Sequence, residues 1–240
     1  SSMYARHKLN LDHTLISTST DEHGVVTLTN SRAPLRLVST PGPYPDHDLV
    51  LTTSCGRQVY TYKNLMCAHS DTLNKLTKSD PHRPEFKFNN LMHAAIKMAV
   101  DFVSGHPIEI KITDIPSLMD VYHEWHIKAV LHAVEFSIDN NRLISMNNKF
   151  VFAERFRLEG LMNQLMADLR NCAACCVDMK QKKAIFDRLS AELQTKIEME
   201  GATHAGNYLG NKLAKTDKKC RRCGAPNHGM DVLAVLMKMD

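Results

Sequence analysis

The sequence predicts an α+β fold, a short mixed sheet capped by helices, followed by an all-α extension and a small metal-binding tail. Three observations predict it. β-rich alternation of apolar and polar residues is concentrated ahead of Tyr62. From Asn64 onward apolar residues recur at helical spacing, interrupted only by two short strand-like runs. Two C-x2-C pairs, Cys172/Cys175 and Cys220/Cys223, stand on either side of a long helical stretch.

Composition sets the frame for these signals. The chain has 240 residues, 43% hydrophobic and 23% charged, which is ordinary for one large or two small globular domains. No apolar run approaches the roughly 20 residues of a membrane span, and no leader pattern opens the sequence. The expected location is therefore the cytoplasm or nucleus, and the seven cysteines are expected to be thiols or metal ligands rather than disulfides. The net charge of +4 says little about partners. Its distribution says more, since "KLAKTDKKCRR" sets six basic residues against one acid.

Taken in order, "GVVTLTN" and "PLRLVST" read as strands, and "PGPYPD" as a break. "DLVLTT" and "QVYTY" around the turn-like "SCGR" read as a hairpin. "NLMCAHSDTLNKL" is helical through Leu65, Met66, Leu73 and Leu76, and "TKSDPHRPE" is a proline-broken loop. "FKF" and "PIEIKI" are short strands on either side of the helix "NNLMHAAIKMAVDFVSG", where Gly105 is placed to end it. "DIPSLMDVYHEWHIKAVLHAVEFSI" reads as two helices, with Asp114 as N-cap and Pro116 in the first turn. Helices over "RLISMNNKFVFAERF" and "RLEGLMNQLMADLR" follow. One long helix is expected over "MKQKKAIFDRLSAELQTKIEME", and "GATHAGNYLGN" is expected to be a linker.

These residues carry a resemblance. "DHDLVLTTSCGRQVYTYKNLMCAHS", "AVDFVSGHPIEI" and "LMDVYHEWHIKAVLHAVEFSI" together resemble the BTB/POZ domain family, and "NNRLISMNNKFVFAERFRLEGLMNQLMADL" is similar to the start of a BACK-type helical extension. The resemblance implies the BTB/POZ core over 46–138 and the helical extension over 139–200, and the residues on either side read as an N-terminal β-rich part over 1–45 and a linker with the metal-binding tail over 201–240. It implies a non-enzymatic protein-interaction adaptor, a cullin scaffold of a ubiquitin ligase as one partner, and a homodimer as another. Asp48 and Lys63 take the family's charged-groove positions. Leu76, Phe86 and Phe88 join them as the residues assigned to protein contacts.

The cysteines carry the metal prediction. Cys220, Cys223 and His228 follow C-x2-C-x4-H, but Leu233 occupies the place of a fourth knuckle ligand. Cys172 and Cys175 supply the missing donors, which makes a four-thiolate zinc site, with Cys176 as substitute for Cys175 and His228 for one thiolate. Four thiolates leave no open position on zinc, which argues against a hydrolase. The pair His123 and His126 lacks a third ligand and reads as exposed helix surface beside a core Trp125. The alternative function assigns nucleic-acid phosphate contacts to Lys218, Lys219, Arg221 and Arg222.

Overall fold

A computed structural model describes residues 16–21, 25–30, 46–209 and 219–224. The chain divides into two compact units, Ser1–Leu143 and Ile144–Asp240. The expected strand "PLRLVST" lies outside the described residues.

Among the described residues, the first unit contains two three-stranded sheets. β3 (Leu49–Thr53) and β4 (Gln58–Thr61) form the expected hairpin, with Leu49 opposite Thr61 and Leu51 opposite Val59. β5 (Glu85–Phe88) lies parallel to β3 on its other side, Leu51 opposite Phe86 and Thr53 opposite Phe88. Parallel neighbours cannot be joined by a tight turn. The crossover here is α1 (Lys63–His69) and α2 (Asp71–Ser79). The alternation along β5 turns Phe86 and Phe88 inward, to 4% and 6% exposure. They are therefore core side chains, which corrects their assignment to protein contacts.

The second sheet explains the N-terminal strands. β1 (Ile16–Thr20) pairs antiparallel with β2 (Val26–Asn30), and β2 pairs antiparallel with β6 (Ile108–Ile110), Leu28 opposite Ile108. Val26 and Leu28 are fully buried, and β2 packs against α3 (His93–Val103) and α5 (Lys128–Asn140). The N-terminal strands thus belong to the same compact unit as the core, and the expected division after residue 45 is not a division between units.

A single helix over "NLMCAHSDTLNKL" does not form, because Ser70 breaks it. Its backbone is extended, its Oγ accepts from Leu73 N at 3.1 Å as the N-cap of α2, and the same Oγ donates to the Trp125 carbonyl at 2.6 Å. Trp125 ends α4 (Ile115–Trp125) with its ring fully buried, edge-on to Phe88 at 5.1 Å. Gly105 closes α3 at φ +90, where a side chain would be strained. Asp114 is the N-cap residue of α4 as expected, but its side chain makes no cap bond to that helix; its carboxylate accepts from Lys111 N at 2.8 Å and closes a preceding 3-10 turn.

The second unit is helical: α6 (Met146–Arg155), α7 (Glu159–Asn171), α8 (Ala173–Gln181), α9 (Lys183–Phe186) and α10 (Ala191–Leu209). Leu161, Leu165 and Leu169 recur at i+4 along α7 and are all buried, as are Phe150, Met179 and Ile197 on α6, α8 and α10, the helices packed against it. The expected long helix is broken twice. Lys182 leaves helical geometry at φ −87, ψ 56, and Ser190 restarts the helix by accepting from Leu193 N at 3.3 Å. The expected linker is instead the last part of α10. Gly201 is buried, and His204 Nε2 donates to the Leu169 carbonyl at 2.6 Å.

Ser70→Ala should lower the stability of the first unit by about 1–3 kcal/mol, since it removes a cap and leaves a buried carbonyl unpaired. Denaturant unfolding followed by Trp125 fluorescence would measure it; a shift below about 0.5 kcal/mol would refute the double role of this hydroxyl.

Candidate metal centre

Four cysteine sulfurs converge in the second unit, from two segments far apart in sequence. Cys172 joins α7 to α8: its backbone is extended at φ −147, ψ 108, and it serves as C-cap of one helix and N-cap of the next. Cys175 follows in the first turn of α8. Cys220 and Cys223 bracket a tight turn over 221–223. Gly224 N closes that turn on the Cys220 carbonyl at 2.8 Å, with Gly224 at φ +68.

The sulfur geometry fits a tetrahedral ion. Cys172 Sγ and Cys223 Sγ are 3.6 Å apart, Cys175 Sγ and Cys220 Sγ are 3.7 Å apart, and all four lie within 4.8 Å of one another. Sulfurs about 2.3 Å from a central ion stand about 3.8 Å from each other. Arg222 N donates to Cys220 Sγ at 3.4 Å. Cys172, Cys175 and Cys220 are buried, and Cys223 is exposed.

The thiols perturb each other as ligands would. The Cys172 thiol is lowered to about 5, first by the hydrogen bond with the Cys175 side chain, against burial, and then by the Cys175 backbone N–H and the Cys220 and Cys223 thiols. Cys175 moves up, because it keeps the proton shared with Cys172 in a buried place beside ionising sulfurs. Cys176 is not among the four converging sulfurs. Its Sγ turns to the Leu169 carbonyl at 3.4 Å, and burial, with the charges of Cys172 and Glu200, pushes it up to about 12. His228, the other substitute, lies outside the described residues.

The residue that spacing rules overlooked is Asp168. It sits one turn before Cys172 on α7, 6% exposed. Arg221 Nε donates to its Oδ1 at 2.8 Å, Arg221 Nη2 to its Oδ2 at 2.9 Å and Arg222 Nε to its Oδ2 at 2.5 Å. Burial pushes this carboxyl up, but the two guanidinium groups outweigh it and hold it below the ordinary carboxylate value. Arg221 and Arg222, the residues expected to contact phosphate, both direct their guanidinium groups at a buried carboxylate of their own chain. Lys219 is exposed, and Lys218 lies outside the described residues.

The remaining predicted residues are placed as follows. Asp48 Oδ1 accepts from the Lys63 backbone N–H at 2.7 Å and so starts α1, while Lys63 Nζ donates to the Pro81 carbonyl at 2.9 Å. Leu76 is 37% exposed on α2. His123 and His126 are both exposed, and among the described residues they join no metal-binding group.

A carboxyl held low in the fold stabilises it fully above its unfolded value of about 3.9 and loses that contribution as pH falls further. Acid unfolding of metal-free protein should therefore show wild type and Asp168→Asn converging as pH falls from about 5 toward about 2. A constant gap over that range would show that the Asp168 charge does not stabilise the fold.

No family model matches the chain. No curated protein matches it either. Among solved structures, part of the chain is similar to the BTB domain of zebrafish PATZ1, at 15% identity and a TM-score of 0.35, over 39% of this chain and 75% of that one. It is likewise similar to the BTB domain of human gigaxonin, at 13% identity and a TM-score of 0.33, over 36% of this chain and 73% of that one.

Proposed function

We propose that the chain is a non-enzymatic adaptor of the cytoplasm or nucleus, gripping proteins through a BTB-type core and carrying a zinc-held knuckle on its helical unit. The observation that carries this reading is the arrangement of the first unit. β3 is flanked antiparallel by β4 and parallel by β5, α1 and α2 form the crossover, and α3, α4 and α5 close the unit. That is the order the sequence resemblance implies. Apolar side chains stand open on this unit at Leu76 and Met92, 37% and 61% exposed. They are available to a protein partner.

Zinc is the favoured ion because all four donors are cysteine sulfurs, with two of their separations matching the edge of a zinc tetrahedron, and four such ligands leave no position for substrate. Its contribution is structural: ligation joins the segment of Cys220 and Cys223 to the junction of α7 and α8.

Two measurements test the reading. Metal analysis of purified protein should give one zinc per chain, lost in Cys220→Ser; zinc-free wild type removes the metal centre. Calorimetry of the full chain with a cullin scaffold should give binding that Leu76→Asp and Met92→Asp together weaken by about tenfold or more. No binding removes the cullin partner, and binding indifferent to both substitutions removes this surface.

A further inference from the structure

The two residues enclosed by the second C-x2-C pair are Arg221 and Arg222, and both reach the same buried carboxylate. Arg222 is the more enclosed of the two, its side chain 11% exposed. Gln164 Nε2 adds a donation to Asp168 Oδ1 at 3.3 Å, so the carboxylate is held in place from its own helix as well. These are charge-assisted bonds, each stronger than a neutral one, and the carboxylate they meet is 7% exposed. Separating them would leave a buried charge unpaired, a costly outcome.

Consider the knuckle without its ion. A metal-free tetrad of thiols has little reason to stay assembled, and a short segment held only by ligation would come free with the metal. Here a second hold exists that needs no metal. It acts on the residues between the two ligands, and on α7 it acts one turn before a third ligand, Cys172.

We propose that Asp168 is an ionic latch for the knuckle: it holds Cys220 and Cys223 in ligand position whether or not a metal is bound. The site is therefore preformed, and it exchanges a tetrahedral thiophilic ion without releasing the chain segment that carries half of its ligands. Asp168 touches no metal in this scheme; it is a positioning residue acting through Arg221 and Arg222. The proposal rests on the four sulfurs taking a metal, but the latch itself is read in metal-free protein.

The test uses the full chain, reduced and stripped with a chelator, and follows alkylation of each cysteine by mass spectrometry. Exposed Cys55, on the β3–β4 turn of the first unit, serves as the internal reference. In wild type, Cys220 should react at least about tenfold more slowly than Cys55, the protection expected of charge-assisted bonds. Asp168→Asn should bring the two rates to within about twofold, and raising the salt concentration should move wild type in the same direction. Arg221→Gln with Arg222→Gln should do the same from the other side. All three substitutions together should add nothing further, because they break one interaction. The arginine pair keeps the test decisive should Asp168→Asn disturb helix packing. With zinc bound, Cys220 should be protected in every variant, with zinc lost about tenfold more readily to a competing chelator in Asp168→Asn. Wild-type Cys220 reacting as fast as Cys55 in metal-free protein would overturn the latch, as would protection that survives both sets of substitutions. Protein that takes up no zinc would instead overturn the metal reading, leaving the alkylation result to decide the latch alone.

Discussion

The second unit depends on closing a long loop. Cys175 and Cys220 are 45 residues apart in sequence, and their sulfurs lie 3.7 Å from each other. Bringing such ends together costs about 3 kcal/mol in chain entropy beyond a constant term. Several interactions offset it. α10 packs against α7 and α8, His204 ties it to the Leu169 carbonyl, and Asp168 draws in both arginines. These contacts act on the same two segments that carry the four cysteines.

The first unit is governed by a different constraint, the parallel pairing of β3 with β5. That pairing requires a crossover, the crossover requires α1 and α2, and the bend between those helices requires a residue that can cap one while leaving the other. Ser70 meets that need and adds a bond to the Trp125 carbonyl, so the crossover is fastened to the end of α4. Leu76 lies on the outer part of this crossover, where a solvent-exposed apolar group is held by an anchored helix rather than by a loop.

Much of this was legible in the order of residues, and what was not shares a cause. The hairpin around Cys55 and Gly56, the end of α3 at Gly105 and the two cysteine pairs were readable because each depends on neighbours within a few positions. The break at Lys182 was hidden, because lysine and its neighbours favour helix and no glycine or proline marks the end. Asp168 was hidden for a stronger reason: its partners are 53 and 54 residues away, so its role exists only after folding. Arg221 and Arg222 then looked like part of a solvated basic run. Phe86 and Phe88 are a different case, since two aromatics separated by one lysine in a strand share a face, and that face was the one to bury.

The pairing of β2 with β6 sets Leu28 against Ile108, with the whole β3–β5 sheet and α3 encoded between them. During synthesis the amino-terminal hairpin emerges long before the strand that completes its sheet. At cellular elongation rates the wait is roughly 4 to 16 seconds, spent with an open strand edge and with Val26 and Leu28 uncovered. Nascent chains of this protein therefore pass through an interval in which chaperone protection of that hairpin, or its mispairing with a neighbour on the same polysome, competes with correct assembly.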